Sequence, residues 1–264
     1  MVVTYVPGMG ELGLRLSVEG AVARVVLDRP EVRNAQTPAM WAALSDFGAS
    51  LPDEVRVVVV SGEGQSFSAG LDRNLMMGEP VDGQEPLLTL GKRPADELQE
   101  LISHFQGGFS WLRKPEIVSI AAVQGHAVGA GFQLALACDL RVVTPDAKFS
   151  MREPALGLVP DLGGTQPLVQ LVGYSRALEI CVTSRWVEAA EAKEIGLANI
   201  VVPAEELAAT VKDLSEAVLS PLVGAVRETK ALLLGAADRT YEEQLKAERE
   251  AQARRLAELI AAFG

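Results

Sequence analysis

Apolar residues in this chain fall into nearly continuous runs in its first half and into amphipathic stretches in its second. Val55 to Ser61 is too continuous in apolar residues for a half-exposed strand and predicts a central strand covered on both faces. Ile117 to Val123 and Leu140 to Thr144 predict two further strands. Leu14 to Val18 and Ala21 to Leu27, split by "EG", predict a hairpin. Pro38 opens a helix over "AMWAALSDFGASL", after a loop "RPEVRNAQTP". "GEPVDGQEPLLTLGKRP" carries little pattern and reads as a mobile loop before a helix from Ala95 to Leu112. Gly125 to Gly131 reads as a small-residue turn leading into the helix "FQLALACD". From Thr165 the chain reads as helices: "QPLVQLVG", "SRALEICVTS", "VEAAEAKEIG", "AEELAATVKDLSEAVL" and two more after Pro221. Strands early and helices late describe one α/β core with a helical C-terminal extension.

Composition narrows the class. The chain has 264 residues, 48% hydrophobic and 22% charged, which is globular rather than disordered. A formal net charge of -11 argues against nucleic acid as a partner. Cys138 and Cys181 are far apart in apolar segments, so they suggest neither a disulfide framework nor a zinc site. No basic segment precedes a hydrophobic stretch at the N-terminus and no apolar run reaches bilayer length, so the expectation is a cytoplasmic protein with no membrane partner.

Several motifs fail on context. "GMGELG" fits the dinucleotide fingerprint, but strand-like "LRLSVE" follows it where a helix is needed. His104 and His126 are the only histidines, too few for a metal site; His104 reads as a helix-face residue. "SFSAGLDRN" (66–74) and "GHAVGAGFQ" (125–133) are different. Each places small residues after a buried strand, and the second opens a helix near Ala130 whose first N–H groups lack intrahelical partners. Either alone is an ordinary turn; an N–H near Leu71 converging with one near Ala130 would form an oxyanion hole.

With those stretches in place, the chain closely resembles the crotonase family, the enoyl-CoA hydratase/isomerase superfamily. The resemblance runs over roughly residues 10 to 250 through "RPEVRNA", "SFSAGLD", "GHAVGAGFQLALACDLRV", "FSMREPALGLVPDLGGTQ" and "AKEIGLANIVVP". It implies a crotonase-like spiral of ββα units over residues 1–200 and a helical trimerisation region over 201–264, assembled as a homotrimer or a hexamer. It also implies an acyl-CoA thioester substrate, with coenzyme A part of that substrate and no cofactor or metal besides. Position by position, the oxyanion donors become the N–H groups of Leu71 and Ala130. Arg33, Ala35, Ala69, Gly70 and Asp72 fall where the family meets CoA, and Gly129 and Gly131 flank the second donor.

Proton chemistry separates the family's activities. Its hydratases use two glutamates; here the second matches Glu153, and the first falls on Gln133, whose amide cannot accept a proton at physiological pH. Asp161, eight residues after Glu153, stands where the family's dienoyl-CoA isomerases place an Asp, although those enzymes also have an Asp at the position of Gln133. Asp161 reads equally as an N-cap of the next helix, Glu153 alternatively as a solvated or capping carboxylate, and Gln133 alternatively as an inert helix residue. The residues favour double-bond isomerisation with Glu153 as acid/base. Hydration, with Gln133 and Glu153 sharing a water, is the alternative, and a CoA-binding scaffold without turnover is the reading from another class. Trp41, Phe67, Met76, Met77, Phe105 and Phe109 are candidates for an acyl pocket, or for core.

Overall fold

The computed structural model describes residues 3–6, 8–81 and 83–263. Its strands are β1 (Val3–Tyr5), β2 (Leu14–Glu19), β3 (Val22–Leu27), β4 (Val57–Gly62), β5 (Val118–Val123), β6 (His126–Val128), β7 (Leu140–Val143), β8 (Lys148–Ser150), β9 (Val187–Glu188) and β10 (Ile200–Val201). Helices are α1 (Pro38–Ser50), α2 (Arg73–Met77), α3 (Leu87–Leu90), α4 (Ala95–Ser110), α5 (Ala130–Ala137) and α6 (Thr165–Val172). The C-terminal ones are α7 (Tyr174–Thr183), α8 (Ala189–Glu194), α9 (Leu207–Leu219), α10 (Val223–Gly235) and α11 (Tyr241–Phe263).

Among the described residues, seven strands form one sheet in the order β1-β2-β3-β4-β5-β7-β10, and β6-β8-β9 form a second. The first hairpin is antiparallel; from β3 through β10 every neighbouring pair in the large sheet is parallel. The apolar runs are continuous because both faces of this sheet are covered. Val58, Val60, Ala121 and Val123 face the main core, whereas Val57, Val59, Ile120 and Val142 face a second cluster closed by Val211 of α9. Thr37 caps α1, its hydroxyl accepting from the Met40 N–H at 3.4 Å, with Pro38 at the first helical position. Trp41 of α1 then packs edge-on against Phe105 and Phe109 of α4, at centroid distances of 5.2 and 5.9 Å.

The structure corrects three expectations and adds one strand. Residues 125–131 are not only a turn, since they contain β6. "VEAAEAKEIG" begins as β9 before it turns helical, and the weakly patterned 78–94 segment contains α3. Lys148–Ser150 forms β8, which pairs with β6 in parallel. Both cysteines are free; burial pushes the Cys138 thiol up to about 12, as expected of a core residue. No described helix is long and apolar enough to cross a membrane.

Candidate active site

The loop after β4 is laid alongside β6 by backbone pairing. Phe67 N–H donates to Gln124 O and Ser68 N–H to His126 O, each at 2.8 Å, and Val128 N–H returns to Ser68 O at 3.0 Å. Two steps on, Gly70 sits at φ +86, and a β-carbon there would lie 2.5 Å from Val128 O and 3.4 Å from Ala130 N. Only glycine permits both that dihedral and that approach. The two small-residue stretches therefore meet, as their composition suggested.

Their amides are left free for a reason. Gln36 pairs with the loop through Gly70 O, which accepts its N–H at 2.7 Å, and through Asp72 N–H, which donates to Gln36 O at 2.8 Å. In a strand-like pairing the intervening residue turns its polar groups the other way, so Leu71 N–H points away from Gln36. Ala130 is the first residue of α5, one of the positions without an intrahelical acceptor. Among the described residues, neither N–H donates to a protein acceptor.

Arg33, Ala35, Ala69, Gly70 and Asp72 are held in one patch. Ala69 N–H donates to Arg33 O at 2.8 Å, and Arg29 Nη1 donates to Ala35 O at 2.9 Å and to Asp72 Oδ2 at 3.0 Å. Asp72 Oδ1 accepts from Asn74 N–H, capping α2. The Asp72 carboxylate is thus committed to Arg29 and to a cap, and it orders the loop rather than presenting a free charge. Arg29, absent from the candidates above, adds a charged tie between the "DRPEVRNA" turn and this loop.

The acid cluster is built from three segments. Glu153 follows β8, where Pro154 begins a short 3-10 turn. Gln133, on α5 and fully buried, donates from Nε2 to Glu153 Oε1 at 2.7 Å and accepts at Oε1 from Leu162 N–H (2.9 Å) and Gly164 N–H (3.3 Å). Glu153 Oε2 is buried with no protein partner. The carboxylate lies against Gly129, where a β-carbon would be 3.3 Å from Oε1, so the acid neighbours the residue that precedes the Ala130 amide. Burial raises the Glu153 pKa, the Gln133 hydrogen bond opposes that rise, and the nearby charge of Asp161 adds to it. Asp161 is itself raised by burial. It does not cap α6, whose N-cap is Gly164 without a side-chain bond, so that reading falls. The Gln133 carbonyl already accepts from two backbone N–H groups, so its amide meets Glu153 through Nε2.

The two amides and the two acids line one cavity of about 350 Å³, whereas Gln133, Arg33, Ala35 and Asp72 stand outside its wall. Leu71, Ala130, Glu153 and Asp161 stand on its wall together with an apolar surface from Trp41, Met76, Leu90, Leu98, Ile102 and Phe105. Of the acyl-pocket candidates, Trp41, Met76 and Phe105 reach the cavity; Phe67 and Phe109 are core, and Met77 is exposed. Leu98, Ile102 and Phe105 recur at helical spacing on α4, a signal present in the sequence but not used. His126 lies elsewhere, with Nδ1 3.3 Å from Ser66 Oγ and its ring edge-on to Trp186. A larger, more open groove of about 890 Å³ beside α10 contains Lys230, but its ammonium is spent on Asp139 Oδ2 and Ile117 O, each at 2.7 Å. Asp139, the one carboxylate on its wall, is thereby paired, unlike Glu153 Oε2 in the smaller cavity.

Two donors, an apolar slot and an unpartnered buried carboxylate form an arrangement suited to an enolate. Comparison with known proteins agrees. The family model for enoyl-CoA hydratase/isomerase matches residues 17–261. A Thermobifida fusca YX protein provisionally named an enoyl-CoA hydratase, solved in complex with CoA, is 49% identical and superposes with a TM-score of 0.91 over 96% of each chain. A peroxisomal Δ(3,5)-Δ(2,4)-dienoyl-CoA isomerase of Arabidopsis thaliana is 31% identical, covering 88% of this chain and 84% of its own. A protein of Rhizobium meliloti, named as a probable enoyl-CoA hydratase, is 31% identical over 89% and 86%. The chain belongs to the enoyl-CoA hydratase/isomerase family, with the crotonase fold and the enzymatic character of that family.

Proposed function

We propose that this protein moves a double bond in an unsaturated acyl-CoA through a thioester enolate, with Glu153 as the acid/base. Glu153 Oε2 takes a proton from a carbon α or γ to the thioester carbonyl. The C–H pair flows through the conjugated system onto the carbonyl oxygen, which the Leu71 and Ala130 N–H groups stabilise. The O–H bond on Glu153 then breaks, and the proton returns to the other end of the allylic system with the double bond shifted. Atoms and charge balance with no co-reactant and no cofactor beyond the CoA carried by the substrate.

One observation carries the reading: the buried, unpartnered Oε2 of Glu153 faces no second free carboxylate at position 133, where the amide is fastened on both sides. The burial that raises the Glu153 pKa suits a group that must both take and return a proton near neutral pH. Arg33, Ala35, Ala69 and Gly70 form the edge on which we place the CoA moiety. Exposed apolar residues on α10 and α11, including Val223, Leu233 and Ile260, support a homotrimer or hexamer, checked by light scattering.

Hydration is the second reading, favoured by relatives that bear hydratase names, such as the crotonyl-CoA hydratase of Syntrophomonas wolfei, 34% identical over 82% of this chain. The test is mass spectrometry of 2-enoyl-, 3-enoyl- and dienoyl-CoA thioesters incubated with the enzyme in deuterated water. A shifted double bond with no added water is expected. A product heavier by one water would establish hydration, and binding of every thioester without turnover would leave a CoA-binding scaffold.

A further inference from the structure

The Gln133 side chain has only one orientation open to it. Leu162 and Gly164 present N–H groups, which can only donate, so the amide oxygen must face them. Turning the amide over would set N–H against N–H at both contacts. Its nitrogen is therefore forced toward Glu153, where it donates to Oε1 at 2.7 Å. Gln133 itself is 0% exposed.

Resting on the isomerase reading above, we infer that Gln133 is a positioning residue that makes Oε2 the one proton-carrying oxygen of Glu153. A carboxylate whose Oε1 accepts a fixed N–H takes its proton on the other oxygen, because a hydrogen on Oε1 would compete with the donor for the same lone pairs. Oε2 is the oxygen left without a partner. One oxygen then serves both proton removal and return, without rotation of the carboxylate between the two half-steps. The same amide ties Glu153 to residues 162–164, directly after Asp161, so the two acids are set relative to one another through Gln133.

Three other charged or titratable groups adjoin Glu153. Asp161 precedes α6, Cys181 lies on α7, and Arg152 is its chain neighbour, with the guanidinium stacked 4.8 Å over Trp186. None changes in the variants below, so a difference among those variants reports on position 133.

The experiment compares pH profiles of kcat and kcat/KM on the best thioester for wild type, Gln133→Glu, Gln133→Met and Glu153→Gln, with thermal melts as a folding check. Gln133→Glu keeps an acceptor for Leu162 and Gly164, removes the donor to Glu153 and adds a negative charge beside it. Glu153 must be ionised to take the first proton, so losing a donor to its carboxylate raises the acid-limb midpoint. Gln133→Met should raise it, and Gln133→Glu, which adds a like charge, should raise it further, by about one unit or more. In both variants kcat should fall while KM stays near the wild-type value, because Gln133 reaches substrate only through Glu153. Midpoints equal to wild type in both variants, with Glu153→Gln inactive, would overturn this inference and leave the isomerase reading standing. Wild-type activity in Glu153→Gln would overturn both. If Gln133→Met fails to fold, the Gln133→Glu midpoint decides.

Discussion

Gly70→Ala is the most direct test of how the two loops are held together. The backbone at Gly70 has φ +86, a left-handed conformation that costs an L-residue roughly 1–2 kcal/mol. The added carbon would also sit 2.5 Å from Val128 O and 3.4 Å from Ala130 N, and overpacking of that kind costs about 1–3 kcal/mol. The combined loss is about 2–5 kcal/mol. Gly20→Ala is the matched control: φ is +55, nothing lies within 4 Å of its added carbon, and only the conformational cost of roughly 1–2 kcal/mol applies. Urea unfolding followed by circular dichroism measures both. The clash can be relieved only by moving residues 68–71 away from Ala130, which separates the two amides. Loss of one such donor lowers kcat by about 100-fold or more. The reasoning fails if Gly70→Ala unfolds at the same urea concentration as Gly20→Ala, or if it keeps the wild-type kcat.

Glu153→Gln should lower turnover by about 100-fold or more, measured by the isomerisation assay. Its stability should also respond to pH in a defined direction. Burial raises the Glu153 pKa above its unfolded value, so its contribution to stability is present below the unfolded value and lost as pH rises through the folded one. The variant's advantage over wild type should therefore grow across that window; a difference independent of pH would contradict it. Asp72→Ala leaves Arg29 without its carboxylate in a largely buried setting and removes the α2 cap, so a destabilisation of about 3 kcal/mol is expected in urea unfolding. Ile102→Trp should raise KM for long acyl chains and spare short ones, read from a chain-length series; a uniform change would remove Ile102 from the acyl wall.

Much of this protein was legible in its sequence wherever the determining interactions were local or averaged over a long run. "VRVVVVSG" announced a strand buried on both faces because every side chain, in or out, had to be apolar. "TP" before "AMWAALSDFGAS" marked the start of α1, since capping is settled within a single turn. Five stretches in a recognisable order, from "RPEVRNA" to "AKEIGLANIVVP", were enough to name the family. Tertiary structure decided what depends on distant partners. β6, β8 and β9 are two or three residues long and exist because each supplies the other's hydrogen bonds, which "HAV", "KFS" and "VE" do not advertise. α3 gains its meaning from the cavity it walls. Gln133 is the sharpest instance: its letter announces only the loss of an acid, and its role depends on two amides some thirty positions later in the chain. Those amides orient its side chain because a buried donor must be paired, and that requirement can be met only once the chain has folded.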